Sequence, residues 1–207
     1  SVAYIYGFLP TDFGRVSDAM MESATDNSVY TWENNSIYYI TNGIWSPLKR
    51  VDDGWGFWDG VRSANLFLEN FDPKVLERFQ YNEDYDEMID KASKFSLEVR
   101  FLRAFYLFEL AKRYGDIPLI TRTYTQEEIN SVRKTSFADV IDFIAKECTE
   151  ITREGGLPED GVRGETGRVT KGAALALKSR ALLYAASDLH NPAHDLTKWE
   201  AAAKAAY

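Results

Sequence analysis

The sequence predicts an all-α protein of tetratricopeptide-like helical hairpins, an α-α superhelix interrupted by long irregular loops. Three observations carry that expectation. Residues 96–116 are apolar nearly all the way round a helix, so neighbours must cover that helix on several sides. Residues 168–187 carry alanine at 173, 174, 176, 181, 185 and 186, and small residues let helices approach closely. The helical patterns also come in successive pairs: 58–70 with 96–114, 137–152 with 168–187, and a last one from 197 onward. A strict repeat of about 34 residues is absent, so periodicity alone supports α-hairpin repeats and nothing narrower.

Taken in order, residues 2–25 read as helical around a short turn at Leu9-Pro10-Thr11-Asp12. Asp12 is placed to cap a helix whose apolar positions include Val16, Ala19 and Met20. Residues 26–56 change character. Trp32, Tyr38, Tyr39, Trp45 and Trp55 alternate with Asn27, Asn34, Asn35, Asn42 and the glycines 43, 54 and 56. That is a poor helix and a good aromatic loop, with room for a short strand over 36–40. Helix returns at 58–70, with Val61, Ala64, Asn65 and Leu68 on one side, and Asp72-Pro73 starts the next piece. Residues 74–92 carry Glu77, Glu83, Asp84, Asp86, Glu87 and Asp90 and read as a solvated acidic stretch.

The central helix is expected to start after a Ser96 cap and to run about 27 Å, at 1.5 Å per residue for some 18 residues. Lys112 and Arg113 suit its C-terminal dipole, Gly115 stops it and Pro118 prevents a restart. After a loop over 116–133, residues 136–152 form an amphipathic helix capped by Ser136, with Asp139 three positions on. Cys148 falls on its apolar face with Val140, Ile141, Ile144 and Ile151, which reads as a buried thiol. Residues 155–167 hold five glycines and one proline, an exposed loop. Residues 168–187 are the second buried helix. Asn191-Pro192 breaks it, and Asp195 or Thr197 starts a last helix over 199–207 with no stop signal. The chain therefore reads as a fragment of a longer protein, lacking an N-terminal anchor and a C-terminal part.

Composition narrows the function classes. A length of 207 residues with 45% hydrophobic and 14% aromatic residues suffices for one sizeable domain. A net charge of −8 and a pI near 4.9 leave no basic face for nucleic acid. No apolar run reaches the length of a membrane span, and no signal peptide is present. The single cysteine excludes an internal disulfide.

No catalytic motif stands out: H-E-x-x-H, G-x-S-x-G and a strand-borne G-x-G-x-x-G are absent. His190 and His194, with Asp188 and Asp195 nearby, have metal-ligand chemistry, but Pro192 lies between them and a structural or solvated pair is expected. The carboxylates of 83–90 lack the calcium-loop pattern. Glu98, Arg100 and Arg103 on so apolar a helix must find partners, and read as structural ion pairs. No catalytic residue, metal or cofactor is expected.

The functional candidate is the aromatic–asparagine loop over 26–58. Sugar rings offer an apolar C–H face, on which aromatic rings stack, and a rim of hydroxyls for Asn and Asp. Trp32, Asn34, Asn35, Tyr38, Trp45, Asp53 and Trp55 have that chemistry, whereas Trp58, opening a helix, is assigned to packing.

Three blocks carry a resemblance. Residues 98–120, E-V-R-F-L-R-A-F-Y-L-F-E-L-A-K-R-Y-G-D-I-P-L-I, resemble the signature helix of the SusD/RagB family, surface-exposed glycan-binding outer-membrane lipoproteins. Residues 167–191, G-R-V-T-K-G-A-A-L-A-L-K-S-R-A-L-L-Y-A-A-S-D-L-H-N, resemble its second hallmark helix, although the place of His190 is usually held by an aromatic. Residues 58–70 resemble its W-x-x-V/I-x-x-A-N helix. The resemblance implies that residues 1–207 are the N-terminal helical-repeat domain of such a protein, with the aromatic loop 26–58 inserted.

It further implies a non-enzymatic role: capture of an oligosaccharide outside the cell and delivery to a SusC-like TonB-dependent transporter. Attachment to the outer membrane would come from a lipidated cysteine upstream of Ser1. In the family much of the glycan surface belongs to the C-terminal region. Two other readings stand beside it: a helical-repeat adaptor that holds a protein or peptide in a concave groove, and a glycoside hydrolase, which needs two carboxylates about 5 to 10 Å apart in a cleft.

Overall fold

The computed structural model describes residues 1–11, 13–159 and 166–207. The helices are α1 (Val2–Tyr6), α2 (Tyr38–Thr41), α3 (Phe57–Asn70), α4 (Tyr85–Tyr114), α5 (Gln126–Ile129), α6 (Phe137–Ile151), α7 (Lys171–Ala186) and α8 (Leu196–Ala206). Two 3-10 helices, Met21–Ala24 and Pro73–Phe79, complete the regular structure, and the described residues include no strand, only isolated bridges. The chain divides into two compact units: Ser1–Gly7 with Gly56–Tyr207, and Phe8–Trp55.

In the larger unit each long helix packs on the next: α3 on α4, α4 on α6, α6 on α7 and α7 on α8, with α1 against α3 and α4. This is the expected all-α succession of hairpins. The stop signals act as read: Gly115 ends α4 at φ 68°, and the Ser136 hydroxyl accepts the Asp139 N–H at 3.1 Å.

The start of α4 does not. It begins at Tyr85 rather than after Ser96, giving 30 residues and a length of about 45 Å. The acidic run explains the extension. Asp86 and Glu87 lie in the first turn, where the helix dipole favours carboxylates, and Glu87 pairs with Lys91 one turn on at 2.8 Å. Ala92, inside the stretch expected to be solvated, is buried.

Close approach between α3 and α4 rests on one glycine. A Cβ on Gly60 would lie 2.7 Å from the Tyr106 ring. Tyr106 is fully buried, stacks on Phe57 at 5.8 Å and donates its hydroxyl to the Ile5 carbonyl at 2.5 Å.

The charged residues of α4 find their partners. Arg100 grips Glu147 of α6 with two bonds, at 2.6 and 3.1 Å, and reaches Glu150 at 2.6 Å. Arg103, almost buried, donates to Glu147, to the Asn65 side chain of α3 and to the Thr121 carbonyl. Glu98 accepts from Tyr6 of α1 at 2.6 Å and from Arg168 at 2.5 Å, while the Val169 N–H donates to the same tyrosine oxygen at 2.9 Å. These are structural ion pairs joining separate elements.

The network sets two pH limits. Burial raises the Glu147 carboxyl, but the hydrogen bond and charge of Arg100, with Arg103, hold it below its ordinary 4.5. Burial also opposes ionisation of Glu109, and Lys112 and Arg113 lower it in the same way. A depressed folded value means the unfolded state takes up protons first, so stability falls as pH drops below about 4.5. Burial pushes the phenols of Tyr6 and Tyr106 above 10.0, Tyr6 also through its bond to Glu98. A raised folded value gives stability that is complete below about pH 10 and lost above it. Urea midpoints followed by circular dichroism should form a plateau between those limits; midpoints still level at pH 3 or pH 11 would contradict these assignments.

Candidate functional site

The smaller unit, Phe8–Trp55, is held by turns rather than by long helices, which corrects two expectations. Residues 13–20 are not helical, and Met21–Ala24 makes only a short 3-10 helix. Ser17 and Asp18 take φ of 47° and 71°, and Val16 and Ala19 exchange backbone hydrogen bonds at 3.0 and 2.9 Å across them. Two successive left-handed residues make a mirror-image tight turn, which ends any helix there. The Asp12 cap lies outside the described residues. The strand expected over 36–40 is replaced by the single turn α2. The Asn35 side chain accepts the Ile37 N–H at 2.9 Å, a local bond that favours a turn over an extended chain.

Around Val16, Ala19 and Ile37, which are buried, pack Met21, Ala24, Tyr30, Tyr38, Ile40 and Val51. The half-buried Arg15 side chain pairs with Asp52 at 3.0 Å. This core is small, and it leaves the tryptophans out. Trp32 is 70% exposed, Trp45 62% and Trp55 59%.

Each is nonetheless placed by its surroundings. Trp32 meets the edge of Tyr30 at 6.0 Å between ring centroids. The Trp45 N–H donates to the Tyr39 carbonyl at 2.8 Å, immediately before a tight turn in which Lys49 N–H bonds the Ser46 carbonyl at 2.9 Å. The Trp55 N–H donates to the Asp53 carboxylate at 3.0 Å.

The seven predicted site residues thus fall into two groups. Trp32, Asn34, Trp45 and Trp55 face solvent. Asn35, Tyr38 and Asp53 are engaged within the unit. Asn35 also donates to the Ser17 carbonyl at 2.5 Å, the Tyr38 hydroxyl donates to the Tyr30 carbonyl, and Asp53 pairs with Arg50 at 3.6 Å besides holding Trp55. Sequence reasoning passed over Ile44 and Leu48, 46% and 97% exposed, which flank Trp45 around the turn. The S-P-L-K run was the signal available, since proline and serine mark a turn whose central residue must face outward.

Elsewhere the polar candidates have structural roles. His190 lies flat on Phe137 of α6, with centroids 3.6 Å apart, and burial followed by the Lys198 charge lowers its pKa. His194 faces the exposed Asp188 at 3.7 Å, and Asn191 bonds both the N–H and the carbonyl of Asp195 to shape the α7–α8 connection. Cys148 is buried, its thiol pushed up to about 12 by burial and then by the Glu147 charge. Among the described residues no cluster of three or more His, Cys, Asp or Glu could hold a metal ion. No helix among them is long and apolar enough to cross a membrane.

Comparison with known proteins bears on this arrangement. A SusD-like family model, described as starch-binding and associating with the outer membrane, matches residues 11–183. A SusD-like protein of Bacteroides fragilis is 28% identical, with a TM-score of 0.69 over 97% of this chain and 37% of its own. A SusD-like carbohydrate-binding protein from the same organism is 26% identical, with a TM-score of 0.68 over 99% of this chain and 38% of its own. A laminarin-binding SusD-like protein, 24% identical, shares the fold at a TM-score of 0.67 over 93% of this chain and 40% of its own. The chain thus spans about two fifths of the length of these structures. Among curated proteins none matches it. SusD-like proteins are carbohydrate-binding and non-catalytic, and are associated with the outer membrane at the cell surface.

Proposed function

The chain belongs to the SusD-like family, and from that premise we propose that residues 8–55 supply part of a surface that captures an oligosaccharide outside the cell. The observation that carries the reading is the exposure of three tryptophans on a unit whose own core does not use them. An exposed indole costs solvation free energy, whereas a sugar's C–H face would cover it and release the water. Asn34, with an amide facing solvent, has donors and an acceptor for ring hydroxyls. Asp53 acts through position, holding the Trp55 backbone. Asn35 and Tyr38 contribute by fixing the turn that carries the aromatic residues.

In this reading no bond of the ligand is broken, and the whole protein passes its glycan to a SusC-like TonB-dependent transporter. A lipidated N-terminal cysteine tethers it to the outer membrane.

Titration calorimetry with a panel of neutral oligosaccharides tests the site, with the ligand recovered and sized afterwards. Trp45→Ala or Trp55→Ala is expected to weaken binding about tenfold or more, the usual loss when an aromatic contact is truncated. Folding should be unaffected, because both rings are exposed. Binding that ignores both substitutions moves the site off this unit, and a shortened ligand ends the non-enzymatic reading.

A further inference from the structure

We infer that the aromatic surface of residues 8–55 selects uncharged glycans and rejects uronic-acid and sulfated ones by charge; the inference rests on the reading above that this surface binds glycan. The segment has seven acidic and three basic side chains. All three cations are engaged within it. Arg15, of which 17% of the side chain is exposed, bonds Asp52 at 3.0 Å. The Arg50 guanidinium pairs with Asp53 at 3.6 Å. The Lys49 ammonium sits 5.3 Å from the centre of the Tyr39 ring.

The acids are disposed differently. Asp18, Glu22, Asp26 and Glu33 are exposed, and Glu33 adjoins Trp32 in the chain. Glu22 uses a carboxylate oxygen to hold the Asn27 amide at 2.8 Å, which does not neutralise it.

A sulfated or carboxylated sugar stacking on Trp32 would therefore meet the like charge of Glu33, its neighbour in the chain, on a segment of seven acids against three bases, with little screening at separations below the Debye length of about 8 Å at physiological salt. The cations of the segment are already shared, Arg15 and Arg50 with carboxylates and Lys49 with the Tyr39 ring. A neutral sugar meets neither obstacle, since its hydroxyls take hydrogen bonds from amides and give them to carboxylates. Charged groups of this kind set specificity through repulsion more than affinity through attraction.

The test uses the 207-residue chain with two sets of soluble polysaccharides: laminarin, glucomannan and xyloglucan, against polygalacturonate, alginate and chondroitin sulfate. Binding is measured at ionic strengths of about 0.01 M and 1 M, where the Debye length is roughly 30 and 3 Å. Saturable binding confined to the neutral set, changing less than about twofold with salt and weakened by Trp45→Ala, is the expected result. Asp26→Lys with Glu33→Lys should leave neutral binding unchanged and add binding of an anionic member at least tenfold above wild type at low ionic strength. Wild-type binding of an anionic polysaccharide that tightens at low ionic strength and is lost in Trp45→Ala overturns the charge selection while leaving the aromatic site in place. No binding of either set by the folded chain would mean that residues 8–55 do not hold a glycan unaided, which overturns the selection as a property of this surface.

Discussion

Replacing Glu147 by alanine is expected to cost about 3–5 kcal/mol of folding stability, the range for removing one partner of a buried ion pair. Its two oxygens accept from Arg103 at 3.0 Å and from Arg100 at 2.6 and 3.1 Å. Without it Arg100 keeps Glu150, at 2.6 Å. Arg103 does not fare as well. It is 8% exposed and keeps the neutral Asn65 side chain, the Thr121 carbonyl and the Phe143 ring, so its charge stays buried without a carboxylate partner.

Glu150→Ala provides the contrast. That carboxylate is 29% exposed and serves only the more accessible arginine, so its loss should cost about 1 kcal/mol or less. Urea denaturation of both variants decides the matter. Equal losses would mean that the Arg103 charge is not held by Glu147.

Gly60→Val is expected to destabilise by about 3 kcal/mol, the upper part of the overpacking range. Two atoms of the Tyr106 ring lie 2.7 and 2.8 Å from the position of the first added carbon, closer than carbon atoms approach. The ring has nowhere to retreat. It is fully buried, its hydroxyl is tied to Ile5, and its faces and edges meet Phe57 and Phe105. At an open helical site the same loss of glycine would favour folding by up to about 1 kcal/mol.

Gly172 in α7 is such a site, since its added Cβ would meet only the Thr170 hydroxyl at 3.8 Å. Thermal melts of Gly60→Val and Gly172→Ala should therefore shift in opposite directions, or leave the second unmoved. A Gly60→Val protein melting with the wild type would show that α3 and α4 do not meet through this glycine.

The larger unit was legible from local chemistry because its signals coincide. The apolar series of α4 ends where Gly115 stops the helix, and that of α6 begins where Ser136 caps it. Glu98, Arg100 and Arg103 were assigned to ion pairs on cost alone, and the partners are there. The early start of α4 escaped for a physical reason. Carboxylates at 84–87 look like solvated loop in composition, yet in a first turn they are stabilised by the dipole, and composition alone does not choose between the two.

The turn at Ser17-Asp18 escaped because neither residue is glycine. Their left-handed conformation is maintained by the ladder across them and by Val16 and Ala19 beneath, not by intrinsic preference. The candidate surface was legible in residue type but not in which members face outward. A loop has no period to sort exposed from engaged, so Asn35 and Tyr38 looked the same as Asn34 and Trp45 until their hydrogen bonds were placed.

The junction of Tyr6, Glu98, Arg168 and Val169 also bears on the order of assembly. The Tyr6 hydroxyl bonds residues 92 and 163 positions away, and Arg168 reaches Glu98 across 70. During synthesis the chain emerges from its N-terminus, so α1 waits with its tyrosine half-paired until about four fifths of the present sequence is available. A contact of such separation closes late and slowly, because the loop entropy is lost before the bond is gained. In a nascent chain halted short of Arg168, α1 is therefore expected to remain open to protease, and it should close once residues 168 and 169 arrive.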